Sequence, residues 1–143
     1  MWIYHDKEIE TLPEGAVGFV YCITNRKTGK QYIGKKFCFS RRRKKVAGRV
    51  NRKVVVKESD WKDYFGSSEM LLADIESIGN QHFTREILNF YKNKKATSYA
   101  ETEEQIKRDV LRAKLPDGTA RYYNGNILGK YFHKDIINGR LTI

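Results

Sequence analysis

Cysteine is scarce in this 143-residue sequence, and long apolar runs are absent from it. The two cysteines, Cys22 and Cys38, form no Cys-x-x-Cys pair and have no group of histidines beside them, which argues against a zinc site. We therefore expect reduced thiols, as in intracellular proteins. No apolar run approaches the ~20 residues of a membrane-spanning helix, and the charged residues 1–10 lack the apolar stretch of a secretory signal. The sequence thus predicts a cytoplasmic protein with no membrane partner.

Acidic residues are missing from one stretch, residues 35–57, which we call the basic segment. This segment contains eleven of the 28 cations, so the rest of the chain carries 17 cations against 17 acids, and the segment accounts for the whole net charge of +11. Such a run of one sign repels itself unless a polyanion neutralises it. We therefore predict that the segment binds nucleic acid. The side chains expected to contact phosphates are Lys36, Arg41, Arg43, Lys44, Lys45, Arg49, Arg52 and Lys53.

Two short runs, GFVYCIT at residues 18–24 and QYIG at 31–34, are joined by a polar stretch that contains Thr28-Gly29-Lys30. The first run alternates as a strand with two distinct faces does, and the polar stretch has turn chemistry, so we predict a β-hairpin. In such a hairpin Tyr21 and Tyr32 lie on adjacent strands and can meet. Gly34 leaves room for a backbone or a phosphate to approach closely.

The remaining sequence predicts one α+β domain over residues 1–143, with a small mixed or antiparallel three-stranded sheet flanked by helices. Residues 46–56 alternate weakly between apolar and basic types, which predicts a mobile or partly ordered arm until nucleic acid binds. The other predicted elements are a short strand at 2–4, a helix at 69–78 capped by Ser67 or Ser68, a strand at 83–91, a loop at 92–96, a helix at 98–114 that starts with the capping box Ser98-x-x-Glu101, and a final strand or short helix after residue 121.

The hairpin sequence resembles the GIY-YIG nuclease family: GFVY at residues 18–21 stands where that family has GIY, and residues 32–34 are YIG. The resemblance runs from about residue 18 to residue 127. It implies an endonuclease that needs Mg²⁺ or Mn²⁺, cuts double-stranded DNA to 5′-phosphate and 3′-hydroxyl ends, and acts as a monomer or a homodimer. The chain looks most similar to compact phage endonucleases of the Seg type and to GIY-YIG restriction enzymes, so homing and restriction roles both stay open.

The resemblance also implies roles for single residues. An arginine follows the YIG tyrosine by ten residues in the family, which selects Arg42 as the clamp on the scissile phosphate, with Arg41 or Arg43 if the register differs by one. A helical glutamate is the family's metal ligand, which selects Glu101, although its spacing from Ser98 also fits a capping box and Glu103 and Glu104 are neighbouring alternatives. Lys35 follows YIG as a lysine does in some members. The family's asparagine corresponds to Asn124 or to Asn126.

Tyr21 is a candidate general base, and Tyr32 is a candidate for orienting the attacking water. A phenol with a pKa of ~10 is a poor base near neutrality, so this role requires Lys35, Arg42 and a bound cation to lower the pKa of Tyr21. In the alternative, the metal activates the water and both tyrosines only position it. A third interpretation assigns both rings to the core.

The sequence departs from the family at Val46, where many members carry a histidine or tyrosine four residues after the arginine. Tyr64 could fill this gap in space, and His82 and His133 are weaker substitutes. Two further classes compete with the enzyme: a non-catalytic nucleic-acid-binding protein that keeps the fold, and a small basic RNA-associated or ribosome-associated protein. Retention of the motif residues together favours the enzyme, since a protein that only binds needs only cations.

Overall fold

Nine strands and three α-helices make up the computed structural model, which describes residues 1–44, 47–48 and 53–143, with only the backbone at 42–44, 53 and 54. In chain order they are β1 (Trp2–Tyr4), β2 (Lys7–Ile9), β3 (Gly18–Asn25), β4 (Gln31–Phe37), β5 (Phe39–Lys44), β6 (Lys53–Glu58), α1 (Glu69–Ile78), β7 (Phe83–Tyr91), α2 (Lys94–Lys107), β8 (Asn126–Ile127), β9 (Tyr131–Phe132) and α3 (His133–Asn138). None of the helices in these ranges has the length and apolar character needed to cross a bilayer.

The central sheet has five strands in the order β2-β1-β7-β3-β4, and only the β1–β7 pair is parallel. The predicted α+β class is confirmed, but the prediction of three strands was wrong. The three expected strands are β3, β4 and β7, and the short hairpin of β1 and β2 extends the sheet. Its turn, His5-Asp6, has φ angles of 49° and 65°, as in the mirror-image turns that join hairpins. The strand predicted at 2–4 is confirmed as β1, whereas β2, which is three residues long, was not predicted.

Strand β3 is buried on both faces, because each side of the sheet carries its own core. Phe19, Tyr21 and Ile23 pack on one side with Trp2, Trp61 and Leu71, whereas Val20 and Cys22 pack on the other side with Ile33, Ala100 and Leu111. At the start of the strand, a Cβ on Gly18 would lie 2.6 Å from Oγ1 of Thr97. Helix α2 can therefore approach β3 closely only because this residue is glycine.

The predictions for α1 and β7 are confirmed to the residue, and Ser68 caps α1 by accepting a hydrogen bond from the backbone N–H of Leu71. The predictions around α2 were wrong. The helix begins at Lys94, inside the predicted loop, because Asn93 caps it by accepting from the N–H of Ala96 at 2.7 Å. It ends at Lys107, and Asp109 follows with a φ of 53°, which breaks the helical path. Ser98 therefore lies inside the helix and caps nothing.

The two flanks of the basic segment form an antiparallel pair, β5 with β6, in which Phe39 lies opposite Glu58 and Lys44 opposite Lys53. The prediction of an arm over residues 46–56 was therefore wrong from residue 53 onward, where three consecutive β-branched valines favour a strand. Residues 46 and 49–52 of that prediction, which include Arg49 and Arg52, lie outside the described residues, as does Lys45.

Residues 121–124 run beside β4, the strand at one edge of the sheet. The N–H of Gln31 donates to the carbonyl of Arg121 at 2.8 Å, and the N–H of Tyr123 donates to the carbonyl of Gln31 at 2.7 Å. Beyond this stretch the chain forms the small β8–β9 hairpin and α3, so the final region contains both of the alternatives expected for it.

Candidate active site

Three tyrosine rings meet at one face of the hairpin. Tyr21 on β3 and Tyr32 on β4 have ring centroids 6.2 Å apart, which confirms the prediction that they meet. The ring of Tyr64 lies 6.1 Å from that of Tyr21, edge to face. Tyr64 thus lies beside the motif tyrosine Tyr21, and its filling of the family position left open at Val46 stays a prediction.

Two glycines make room for the hydroxyl of Tyr21, which belongs to a residue only 1% exposed. A Cβ on Gly34 would lie 2.6 Å from Cζ of Tyr21, and a Cβ on Gly66 would lie 3.4 Å from the hydroxyl oxygen. Gly66 also has a φ of 90°, a conformation that side-chain-bearing residues rarely adopt. The space above Gly34, which the sequence analysis assigned to a backbone or a phosphate, is therefore filled by the phenol of Tyr21.

Burial keeps both motif tyrosines in the neutral form. It raises the pKa of Tyr21 well above its usual value, and the neighbouring Tyr64 and Tyr32 raise this pKa further. Burial also raises the pKa of Tyr32, while a hydrogen bond with Ser67 partly opposes the rise. The lowered pKa that the general-base role requires is therefore not present in the protein alone. A neutral phenol can position water or phosphate but cannot accept a proton from water.

Lys35 connects the YIG strand to α2. Its ammonium donates a hydrogen bond to Oγ of Ser98 at 2.8 Å and lies 3.9 Å from Oε1 of Glu101. Ser98 and Glu101 are one helical turn apart, so both face β4 from the same side of α2. The serine that the sequence analysis assigned to capping therefore orients the lysine that follows YIG.

Glu101 is free of the capping role, because Asn93 performs it. The side chain is 18% exposed, and burial raises the pKa of the carboxyl while Lys35 acts in the opposite direction. Its neighbours have other partners: Glu103 pairs with Lys107 and Glu104 pairs with Arg108. Of the three candidate glutamates, Glu101 is the one that lines the cleft described next.

A cleft with a volume of about 480 Å³ lies beside Tyr32. Its walls include Glu69, Glu101, Asn124, Asn126, Met70 and Leu128. Within the described part of the chain, no group of three or more histidine, cysteine, aspartate or glutamate side chains could hold a metal ion. Among the described residues, the carboxylates that line the cleft are those of Glu69 and Glu101.

Asn124 and Asn126 do different things. The side chain of Asn124 is buried, accepts from the N–H of Ile33 at 3.0 Å and donates to the carbonyl of Ile33 at 2.8 Å. It thus fixes the central residue of YIG. Asn126 is exposed and accepts from the N–H of Gly129 at 2.8 Å, within the turn between β8 and β9. Asn126 therefore stabilises a turn, whereas Asn124 supports the YIG strand.

Two polar residues that were not predicted from the sequence support the site. Gln105 donates to the carbonyl of Ile33 at 3.2 Å. Arg85 is buried, and it donates to the carbonyls of Lys62 and Tyr64 at 2.9 and 2.8 Å, so it holds the segment that carries Tyr64. A signal existed for Arg85, because strand alternation places it on the same buried face as Phe83 and Ile87. The hydrogen bond of Gln105 joins residues far apart in the chain, so the sequence around Gln105 does not predict it.

The cations predicted to bind DNA are placed unequally. Lys36 lies 2.6 Å from Asp60 and 4.0 Å from the ring centroid of Tyr64, so it borders the tyrosine cluster. Arg41 is exposed. The backbone of Arg42 pairs with Val55 in the β5–β6 ladder, and positions 43, 44 and 53 lie in the same ladder. His82 and His133, the weaker substitutes, are not among the residues that line the cleft.

The chain matches a family model described as putative endonuclease segE, GIY-YIG domain. The match covers residues 2–127, from β1 to β8, and includes every residue predicted for the catalytic site. Neither the curated proteins nor the solved structures contain a significant match to the chain.

Proposed function

We propose, because this chain belongs to the GIY-YIG nuclease family, that it is a metal-dependent endonuclease that cuts double-stranded DNA inside the cell. The proposed products carry 5′-phosphate and 3′-hydroxyl ends. The observation that carries this proposal is the carboxylate of Glu101, which lines the cleft together with Tyr32 and lies 3.9 Å from the ammonium of Lys35.

Glu101 fits a magnesium site of the kind that relies on few protein ligands. Mg²⁺ gives up water reluctantly and is commonly held by one or two carboxylates together with phosphate oxygens and water. Glu101 would supply the carboxylate, and the scissile phosphate would supply a further oxygen. When bound, Mg²⁺ or Mn²⁺ acts as a Lewis acid that neutralises charge on the phosphate and acidifies water.

The other residues then have defined tasks. Arg42 clamps the scissile phosphate through paired hydrogen bonds, and Lys35, held by Ser98, adds positive charge at the same group. The neutral hydroxyls of Tyr21 and Tyr32 orient water and phosphate oxygens. Asn124 keeps the YIG backbone in place. The basic segment binds the flanking phosphates.

We propose a homing or restriction role for the enzyme as a whole.

The main alternative is a protein that binds nucleic acid without cutting it, and Glu101 argues against it. A carboxylate repels phosphates, and burial makes its ionised form costly. A protein that only binds DNA would gain nothing from such a group in its DNA-facing cleft, whereas a metal-dependent nuclease requires one.

The direct test is incubation of the purified protein with supercoiled plasmid. We expect nicked or linear DNA with Mg²⁺ or Mn²⁺, and intact supercoiled DNA with a chelator. Binding of the plasmid without any cleavage in either metal would support the non-catalytic alternative. Labelled ends of the products would show which side of the bond carries the phosphate.

The basic segment predicts a steep dependence of DNA affinity on salt. If about six phosphates are neutralised, the logarithm of affinity falls against the logarithm of salt with a slope of roughly −5. Substituting alanine for Arg49, Arg52 and Lys53 should flatten this slope by up to ~3, while cleavage stays measurable at low salt.

A triple alanine variant at Lys7, Lys107 and Arg112 provides the control. These cations lie outside the basic segment, and two of them are paired with acids, so the slope should stay close to that of the parent protein. If both triple variants had the same slope of log affinity against log salt, the prediction that the basic segment contacts DNA would be contradicted.

A further inference from the structure

The turn between β8 and β9 places a leucine in an unusual backbone conformation. Leu128 has a φ of 60° and Gly129 a φ of 63°, and the N–H of Lys130 donates to the carbonyl of Ile127 at 3.1 Å. Both central residues of this mirror-image turn need a positive φ, so asparagine, aspartate or glycine normally occupies the first position. A bulky apolar residue is unfavourable there. Such strain, where it persists, is concentrated at functional sites.

The same leucine is exposed on the wall of the candidate active-site cleft. Leu128 is 66% exposed, and Met70, in the first turn of α1, is 61% exposed and lines the same cleft. The two therefore present long, flexible apolar side chains to solvent in the cleft that contains the carboxylate of Glu101. Neither packing nor turn chemistry explains a leucine at this position.

We propose that Leu128, assisted by Met70, is an apolar wedge that inserts against a base step of duplex DNA beside the scissile phosphate. This proposal rests on the proposed function, because the basic segment and the catalytic cleft bring the DNA to this surface. Leucine and methionine are among the side chains that DNA-binding proteins insert between bases to unstack and kink the duplex. Leu128 follows directly after the residues matched by the family model.

A wedge at this position affects both geometry and selectivity. A kink at the wedged step turns the adjacent phosphate toward the cleft that contains Glu101. The energy needed to unstack a step depends on its sequence, so the wedge favours deformable steps even without hydrogen bonds to the bases. An asparagine at position 128 would relieve the backbone but would provide no apolar surface for this insertion.

The test compares binding to two DNA probes in chelator, where no cleavage occurs. One probe is a perfectly paired short duplex, and the other is the same duplex with a central bulge, in which unstacking is already complete. The parent protein should bind the bulged duplex about tenfold more tightly. Leu128→Asn should lose most of this preference, and it should not unfold the turn, because asparagine tolerates a positive φ. Leu128→Met should keep the preference.

Ile106→Asn is the matched control. Ile106 is 63% exposed and lines a separate apolar cavity of about 230 Å³ beside α3, so its substitution should leave the preference unchanged. A parent protein that binds both duplexes equally, or a Leu128→Asn variant that keeps the preference, overturns the wedge and leaves the nuclease proposal intact. Failure of the parent to bind either duplex overturns both proposals.

Discussion

Glu101→Gln should lower the rate of DNA cleavage by about 10³-fold while DNA binding persists or tightens. Removing the only protein carboxylate proposed for the metal eliminates a large share of transition-state charge stabilisation, and ~4 kcal/mol corresponds to a factor of about 10³. The cations that bind phosphates stay in place, and a repelling charge disappears. Single-turnover cleavage and a binding isotherm in the same buffer would measure the two effects separately.

The same variant should not lose stability. Because burial raises the pKa of Glu101 in the folded protein, the folded state holds the proton more tightly than the unfolded state, and the ionised carboxylate destabilises the fold at neutral pH. In chelator at pH 7, Glu101→Gln should therefore have a Tm equal to or above that of the parent. The difference should shrink as the pH falls through the raised pKa, and it should vanish below the ordinary pKa of 4.5, where both states are protonated.

Asn93→Ala is the control for helix α2. Asn93 caps the helix, so this variant should lose about 1 kcal/mol of stability and keep its cleavage rate at a temperature where it is folded. If Glu101→Gln lost stability and activity in parallel, as a capping residue would, the ligand role would be contradicted.

Arg42→Ala should lower the single-turnover cleavage rate by two to three orders of magnitude and weaken DNA binding much less. A phosphate clamp acts mainly in the transition state, when charge on the phosphorane increases. Loss of a preorganised donor to such a group costs ~3 to 4 kcal/mol, which gives this range of rates. The measurement requires saturating protein, because a binding defect would otherwise imitate a chemical one.

Arg41→Ala and Arg43→Ala are the matched controls, because the backbone register places both residues next to Arg42 on the same strand. Position 42 pairs with Val55, whereas positions 41 and 43 pair with Val56 and Val54. Successive strand positions alternate between faces, so position 42 lies on the opposite face of this hairpin from its two neighbours. Each control should lose ~1 kcal/mol of binding and recover cleavage at high protein concentration. Equal losses for all three arginines would contradict the assignment of Arg42.

The elements predicted correctly are those that local signals define. The β3–β4 hairpin, α1 and β7 each combine a clear hydrophobic period with a turn or cap at the boundary, so a short window contains the information. Helix α2 shows the limit of local signals: Ser98 satisfies a capping pattern, but Asn93 offers a cap five residues earlier, and the sequence alone does not rank the two. Strand β1 was predicted at residues 2–4, but its hairpin partner β2 was missed, because three residues are too few to show a period.

The residue types of the site could be predicted from the sequence, whereas their long-range contacts and pKa values could be predicted only in part. The motif tyrosines meet as the hairpin pattern requires. The bonds from Lys35 to Ser98 and from Asn124 to Ile33 span 63 and 91 residues, and no local pattern encodes such distances. The general-base role of Tyr21 requires a lowered pKa, whereas burial raises this pKa in the protein alone, and the depth of burial is a property of the packed core that the sequence does not show.

The contact between residues 121–124 and β4 also protects the protein against aggregation. A strand at the edge of a sheet exposes unpaired backbone groups, which can recruit a strand from another molecule. Here the carbonyl of Arg121 and the side chain of Asn124 accept from the outward N–H groups of Gln31 and Ile33, so the edge next to YIG is already occupied. Loss of the Asn124 side chain would open part of this edge. The state of association of an Asn124 variant therefore has to be measured before a loss of its activity is assigned to chemistry.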